Sequence, residues 1–269
     1  MKITLITIFF LSSFDIFGQT LYSARSSGLS GAGVILADAH SVSQNPAQNT
    51  AVRNTMISAG FESVFSIPGL NSMSCSFILP IKNSQAAAIH YARNGTKYFY
   101  DQSVMLSYGL RISTKLNLGA QIERRNKFYS SETDLAMSVW SATLGLSASP
   151  LQGFILGASI SNPTKSKWNN SLSTDLPSVL RIGSSISLSA KAIVYTQVIK
   201  ESEQAASYSA GIEYIPIEQF QFRTGFSSHP FRPSFGAGLV WKNTRIDFSM
   251  SAQSYLGFSP GISIQQKFR

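Results

Sequence analysis

The stretch Arg245-Ile246-Asp247-Phe248-Ser249-Met250-Ser251-Ala252-Gln253 alternates strictly between polar and apolar side chains. Such a period of two residues predicts a β-strand with one polar and one apolar face. The same alternation recurs in residues 116–123 and 220–226. From residue 54 onward, the chain is therefore interpreted as almost entirely β-strands.

The alternation predicts fourteen strands. They lie near residues 55–65, 73–81, 85–93, 103–111, 115–125, 134–148, 153–161, 178–188, 191–199, 206–215, 219–226, 233–241, 244–252 and 259–268. In the sixth of these segments the apolar phase slips after Val139, and such a slip predicts a β-bulge.

The connections between these segments alternate in length. Short connections centre on residues 82–84, 112–114, 150–151, 189–190, 216–218 and 242–243, and longer ones span 66–71, 94–102, 126–133, 162–177 and 227–232. Outer-membrane barrels have short periplasmic turns and longer external loops. The sequence thus predicts an all-β fold, a fourteen-stranded antiparallel transmembrane β-barrel over residues 54–269.

The composition agrees with a membrane barrel. Only 13% of the residues are charged, whereas a soluble domain carries about 25%. No apolar run reaches the roughly 20 residues of a membrane-spanning helix. The net charge of +9 is scattered without a basic block, so no nucleic-acid partner is expected. The single Cys75 excludes an intramolecular disulfide.

The N-terminus has the features of an export signal. Lys2 precedes the apolar run Ile3 to Leu11, and the small residue Gly18 follows a few positions later. This order predicts a signal peptide over residues 1–18. The expected location is the outer membrane of a Gram-negative bacterium, with outer-membrane lipid as a partner.

Residues 19–53 lie between the signal peptide and the first strand. They are mostly small, Gly-rich and Ala-rich, and show no convincing period. Such a segment cannot build a core of its own, but it fits a confined space that other residues enclose. We therefore expect it to form a hatch, or plug, inside the barrel.

This segment resembles the entry segment of the PorV/PorQ family, which belongs to the FadL-like superfamily of outer-membrane barrels. The resemblance rests on Ser23-Ala24-Arg25 with Gly28, on Gly31-Ala32-Gly33-Val34 and Ala37-Asp38-Ala39, and on Asn45-Pro46-Ala47. Members of the superfamily have fourteen strands and an N-terminal hatch with an Asn-Pro-Ala motif. The resemblance implies that Ala24, Arg25, Gly28, Gly31, Gly33, Asn45, Pro46 and Ala47 form the hatch motif.

The C-terminal half is also similar to this family. The similar fragments are 176–177, 180–183, 210–214, 222–226, 235–238 and 246–247. Two features depart from the family pattern: the chain is shorter than typical secretion members, and Gln48 stands where a Gly is more usual. The departures concern the subfamily and leave the fold unaffected.

Seven charged residues are predicted to face the lumen: Arg111, Glu123, Arg181, Glu213, Arg223, Arg245 and Asp247. Charges on an inner wall need partners, so a structural network is favoured over substrate guidance. His40, His90 and His229 are far apart in sequence and no catalytic or metal-binding motif is visible. No enzymatic activity, cofactor or metal is expected.

Two classes of function remain. The PorV/PorQ resemblance implies a non-enzymatic component of a protein secretion or assembly complex, associated with type IX secretion and having outer-membrane or periplasmic protein partners. The alternative is a FadL-like transporter that carries hydrophobic small molecules through a hatch-gated lumen. An accessory subunit of the barrel-assembly machinery is a related possibility that the sequence does not separate from the first class. A transporter is expected to have an apolar pocket beside the hatch, whereas a secretion component is expected to have a filled lumen and an exposed surface of partner size.

Overall fold

The structure is a computed structural model that describes residues 23–40, 43–82, 84–130, 135–169 and 175–268. The predicted signal peptide and residues 19–22 of the predicted hatch lie outside the described residues. No helix in these ranges is both long and apolar enough to cross a membrane.

Fourteen antiparallel strands form one closed barrel, as the sequence predicted. They are β1 (Met56–Ser63), β2 (Asn71–Lys82), β3 (Gln85–Gly95), β4 (Phe99–Arg111), β5 (Leu116–Tyr129), β6 (Leu135–Leu151), β7 (Phe154–Ser161), β8 (Val179–Ser189), β9 (Ala192–Glu201), β10 (Ser207–Ile217), β11 (Phe220–Ser228), β12 (Phe231–Trp241), β13 (Thr244–Gln253) and β14 (Gly257–Lys267). The barrel closes where β1 pairs with β14, with Gly60 opposite Ser263. Closure leaves no unpaired strand edge, which a lipid environment requires.

The barrel has two distinct ends. The turn end holds the start of β1, the end of β14 and short turns such as residues 218–219. The loop end holds the remaining connections, and the longest of these joins β7 to β8. Because the strand number is even, the start of β1 and the end of β14 lie at the same end of the barrel. The short turns lie on the periplasmic side in barrels of this kind.

Several loop-end connections are shorter than the sequence predicted. Residues 94–102 were expected to form a long loop, but β3 continues to Gly95 and β4 begins at Phe99. The cause is backbone pairing, since Asn94 lies opposite Asp101 in the ladder. Polar residues can extend a hydrogen-bonded ladder beyond the apolar band, so side-chain polarity alone misplaces the strand ends.

The two faces of the wall differ in chemistry as predicted. Phe222, Phe226 and Phe248 on the outer face are each more than half exposed. The inner face is rich in buried serines, which are Ser58, Ser72, Ser74, Ser76, Ser103, Ser107, Ser141, Ser147, Ser159, Ser185, Ser209, Ser227, Ser234, Ser249, Ser251, Ser259 and Ser263. Small inward side chains leave space in the lumen, while the apolar outer face suits lipid.

The expected bulge in β6 is wrong. β6 pairs with β5 without a register shift from Leu135 to Ala148. The apolar phase slips because Met137 and Val139 face the lumen instead of the lipid. They are buried there against Trp168 and Leu176 of the β7–β8 connection.

Short helical elements lie inside the barrel before β1. Helix α1 spans Ala24–Gly28, and Ser23 caps it by accepting a 3.0 Å hydrogen bond from the Ser26 amide. A 3-10 helix spans Pro46–Ala51, with Asn45 as its N-cap and Pro46 in its first turn. Both start signals are typical of helix N-termini.

Candidate functional site

Residues 23–40 and 43–52, here called the luminal segment, lie inside the barrel. Helix α1 packs against β1 and β11 to β14, and the 3-10 helix packs against β2 to β6. Leu29, Val34, Asn45 and Asn49 of this segment are fully buried. The segment therefore contacts opposite parts of the wall with its two helical ends.

The Asn-Pro-Ala turn lies against glycines of the wall. A Cβ added at Gly119 would overlap the carbonyl carbon of Pro46 and the amide nitrogen of Ala47. A Cβ at Gly145 would overlap the Asn45 side chain. Because Gly119 lies opposite Gly145 in the ladder, the two glycines form a shallow recess that only a residue without a side chain permits.

Asn45 links the turn to the wall by hydrogen bonds. Its Nδ2 donates to the Val34 carbonyl at 3.0 Å and to the Leu146 carbonyl of β6 at 3.1 Å. Its Oδ1 accepts from the Ala47 amide at 3.1 Å. The buried Asn45 side chain thus provides hydrogen-bond partners for backbone groups at two places in the luminal segment and at one place in β6. Buried backbone polar groups require such partners.

Arg25 connects the other end of the luminal segment to the wall. Its Nε and Nη2 donate to the two carboxylate oxygens of Glu213 at 3.0 and 2.7 Å, a bidentate geometry that adds strength and direction. Nη1 lies 3.6 Å from Oδ2 of Asp38. Burial lowers the pKa of Arg25, but Glu213, Tyr195 and Asp38 together outweigh this effect and raise the pKa well above its ordinary value.

Glu213 is the centre of a larger charged cluster. It accepts from Nε of Arg223 at 2.7 Å, and Nη1 of Arg223 donates to Asp247 at 2.8 Å. Arg245 donates to Asp247 through Nε, at 3.0 Å from Oδ1. The structure therefore brings four of the predicted lumen-facing charges together with Arg25 of the predicted hatch motif.

Two residues of β9 complete this region, and sequence reasoning missed both. Tyr195 donates its hydroxyl to Glu213 at 2.9 Å. Gln197 accepts from the Val34 amide at 2.8 Å and donates to the Gly31 carbonyl at 2.9 Å. The available signal was weak, because both phases of this strand carry apolar residues and its inner face is not evident.

The remaining predicted charges lie elsewhere. Arg111 is at the turn end, where its Nε donates to Asn117 at 3.4 Å. Glu123 accepts from Nε of Arg125 at 2.9 Å, and Arg181 donates to Ser161 at 3.3 Å. Glu123 and Arg181 both line a cavity near the loop end. The seven charges thus divide among three places.

The hatch-motif glycines make close backbone approaches. A Cβ at Gly28 would lie 3.1 Å from Cα of Gly236 in β12, and Gly31 has a φ of 85°, which disfavours other residues. Gly33 faces the Gln44 side chain within the segment. Ala24, at the start of α1, is fully buried. Small residues here permit the segment to lie against the wall.

An apolar cavity of about 560 Å³ opens beside the luminal segment at the turn end. Ile35 and Leu36 of the segment form one side, and Ile155 and Ile193 of the wall form the other. Arg25 and Tyr195 are among the polar residues of its lining, which also include Lys115, Gln152, Ser149, Ser185 and Ser187. The same apolar residues pack into a buried cluster with Leu29, Ala32, Val34 and Tyr195, so the segment has more of a core than its composition indicated.

A second cavity, of about 440 Å³, lies near the loop end, and most of its lining residues are polar or charged. Its lining includes Asp101, Glu123, Arg125, Lys127 and Arg181, with Trp168 and Leu176 as apolar members. Ser43 brings the luminal segment to this cavity as well. The segment therefore contributes to both cavities, one polar and one apolar.

Two histidines that are far apart in sequence meet in the lumen. The ring centroids of His40 and His90 are 6.5 Å apart, and Nδ1 of His90 lies 2.6 Å from the Ser76 hydroxyl. Burial lowers the pKa of His40. Within the described residues, no group of three or more metal-ligating side chains assembles.

Solved structures with the same fold include two toluene transporters. No family model and no curated protein matches the chain. The toluene transporter TodX of Pseudomonas putida aligns with a TM-score of 0.72 and 11% identity over 93% of this chain and 99% of that one. The toluene transporter TbuX of Ralstonia pickettii aligns with a TM-score of 0.69 and 13% identity over 94% and 100%.

A FadL homologue of Pseudomonas aeruginosa aligns with a TM-score of 0.66 and 11% identity over 92% of this chain and 98% of that one. At such identities the likeness shows the fold. The chain has the fourteen-stranded barrel fold of FadL-family outer-membrane proteins, and its apolar outer face and fold place it in an outer membrane. These neighbours are channels and transporters rather than enzymes. The finer resemblance to PorV/PorQ remains a prediction.

Proposed function

We propose that the chain is a transporter that carries small hydrophobic molecules across the outer membrane. The observation that supports this proposal is the 560 Å³ apolar cavity, bounded by Ile35 and Leu36 of the luminal segment and by Ile155 and Ile193 of the wall. Ligand pockets are typically concave, mostly apolar and supplied with a few polar groups. Arg25 and Tyr195 supply such groups here.

The comparisons also favour this interpretation over a component of a type IX secretion or barrel-assembly complex. Structures with the same fold include two toluene transporters. A secretion component was expected to have a filled lumen and an exposed surface of partner size. The structure instead has an apolar cavity beside the luminal segment, and this feature was expected of a transporter.

In this proposal the luminal segment is a gate. It lines both the polar loop-end cavity, through Ser43, and the apolar turn-end cavity, through Ile35 and Leu36. A solute that passes from one end to the other must therefore pass the segment. The Arg25–Glu213 ion pair and the Asn45 contacts hold the gate in the described position.

Uptake of radiolabelled toluene by cells that express the chain tests the transport proposal. The wild type is expected to increase uptake over cells without it, and Leu36→Asp is expected to remove this increase by placing a charge in the apolar cavity. Leu188→Asp is the matched control, because Leu188 is 66% exposed near the same end and lies outside the cavity lining. Equal uptake with and without the wild-type chain would overturn the proposal.

Planar-bilayer conductance tests the gate separately. Deleting residues 24–47 is expected to leave a folded barrel, because the strands keep their own hydrogen-bonded ladder, and to increase single-channel conductance. A folded deletion variant that conducts no better than the full chain would mean that inward side chains close the lumen. The luminal segment would then not be a gate.

A further inference from the structure

On the described strands of the barrel wall, the acidic side chains lie inward, whereas basic side chains occur on both faces. The acids on the described strands occupy inward positions: Glu62, Asp101, Glu123, Glu213 and Asp247 are buried, and Glu201 lines the loop-end cavity. Arg93, Arg124 and Lys200 instead alternate with inward neighbours and face outward, near the loop end of β3, β5 and β9. The outer wall near the loop end therefore presents cations to the membrane.

Arg93 and Arg124 belong to one continuous patch. Arg93 lies opposite Gln102 on β4, and Gln102 lies opposite Asn126 on β5. Arg124 lies opposite Trp140 on β6. We call the outward residues Arg93, Tyr100, Gln102, Arg124, Asn126 and Trp140 the outer basic patch. It spans four neighbouring strands.

Aromatic rings orient the two guanidinium groups of the outer basic patch. Cζ of Arg93 lies 4.0 Å from the Tyr100 ring centroid, and Cζ of Arg124 lies 5.5 Å from the Trp140 ring centroid. The Tyr100 ring also stacks on Phe128, with centroids 4.8 Å apart. A cation over an aromatic face keeps its hydrogen-bond donors at the edge of the plane, free to point along the wall.

The position of the patch fits the headgroup level of a membrane. Aromatic girdles of membrane barrels lie at the membrane–water interfaces, and Tyr100, Phe128 and Trp140 form such a group near the loop end. An outward arginine at this level meets lipid headgroups rather than acyl chains. Guanidinium groups bind phosphate through paired hydrogen bonds.

We propose that the outer basic patch binds the phosphates of an anionic glycolipid in the outer leaflet, with Arg93 and Arg124 each holding one phosphate of a bisphosphorylated disaccharide headgroup. Two strand spacings and an offset of two residues separate their backbones by about 12 Å. That separation suits a headgroup that carries one phosphate on each of two sugars. Gln102 and Asn126 lie between the arginines and face the sugars with hydrogen-bonding amides.

The test uses the full-length purified barrel and phosphatidylcholine nanodiscs that contain bisphosphorylated lipid A, monophosphorylated lipid A or neither. Retention of lipid A by the barrel is counted by native mass spectrometry after release from the disc. Because each cation near an anionic lipid surface contributes about fivefold in affinity, Arg93→Gln with Arg124→Gln is expected to weaken retention of the bisphosphorylated lipid roughly 30-fold. Monophosphorylated lipid A is expected to bind the wild type about fivefold more weakly.

Two controls make the result specific. Lys191→Gln with Lys242→Gln removes the same number of charges from the turn end and is expected to change nothing, whereas Arg93→Lys with Arg124→Lys is expected to keep most of the retention. Inorganic phosphate added in excess is expected not to displace the lipid, because the acyl chains hold the headgroup at the wall. Displacement by phosphate would show a free-anion site and overturn the assignment to lipid.

Folding of each variant is checked by heat-modifiable gel mobility. If the two glutamine substitutions leave lipid A retention unchanged, or if the turn-end control loses as much, the outer basic patch is not a lipid site. Equal retention of bisphosphorylated and monophosphorylated lipid A by the wild type would also contradict it, since the two arginines would then not share two phosphates.

Discussion

The two sides of the barrel hold the luminal segment in different ways. Around β4 to β7 the wall has glycines, and the Asn45–Ala47 turn fits against them by shape. Around β9 to β13 the wall also has close-contact glycines such as Gly236, but it adds charges, and Arg25 is held by the buried Glu213 carboxylate. A contact that depends on shape is disrupted when an atom is added, whereas a contact within an ion cluster is disrupted when a charge is removed.

A substitution on the charged side is expected to lower the free energy of unfolding more than a substitution on the glycine side. Glu213→Gln leaves Arg25, Arg223 and Arg245 together with one fewer carboxylate, and removal of one partner from a buried ion pair costs about 3–5 kcal/mol. The free energy of unfolding from lipid vesicles, followed by guanidinium titration, measures the loss. Glu218→Gln is the control, since Glu218 lies in a turn outside the cluster. An equal effect of the two substitutions would contradict the central role of Glu213.

The second-largest loss of unfolding free energy is expected from a substitution on the glycine side. Gly119→Val adds side-chain atoms where a single Cβ already overlaps the backbone of Pro46 and Ala47, and overpacking of this kind costs about 1–3 kcal/mol. The turn cannot stay in place, so single-channel conductance is expected to rise as well. Ala120→Val, on the outward face of the same strand, is expected to leave conductance unchanged. Wild-type conductance in a folded Gly119→Val barrel would show that the recess is not required.

Asn45→Ala is expected to lower the free energy of unfolding by less. It keeps the glycine recess and removes the hydrogen bonds that link the turn to Val34 and Leu146. Loss of an N-cap and of buried hydrogen bonds costs about 1–2 kcal/mol. The same guanidinium titration measures it. Asn45→Asp keeps the acceptor for the Ala47 amide but not the Nδ2 donor, so it is expected to recover only part of the loss. Full recovery would mean that the Leu146 contact contributes nothing.

The smallest expected effect is the coupling between the two sides. Asn45 and Glu213 share no hydrogen-bond partner among the described contacts, so a double-mutant cycle of Asn45→Ala and Glu213→Gln is expected to give a coupling free energy under about 0.5 kcal/mol. The cycle of Arg25→Gln with Glu213→Gln is the positive control and is expected to show strong coupling. A large coupling in the first cycle would indicate that the segment moves as one rigid body.

The sequence predicted the wall well because the relevant physics is local. A residue's face in a strand is fixed by parity, so the outward position of Phe248 and the inward position of Asp247 follow from the alternation alone. Strand ends were predicted less well, as at residues 94–102, because ladder hydrogen bonds do not depend on side-chain polarity. Met137 and Val139 led to the wrong prediction of a β-bulge in β6, since an inward residue can be apolar when a loop covers it.

What the sequence by itself determined is the repeating unit, which consists of fourteen segments with alternating polar and apolar residues, and the even number of strands. Only the tertiary structure decided which inward residues meet. Arg25 and Glu213 are 188 residues apart, and Gly119 is distant in sequence from Pro46, so no local pattern pairs them. Closing the barrel fixes the position of every strand around the lumen, and this closure brings the charged cluster and the glycine recess to opposite ends of one buried segment.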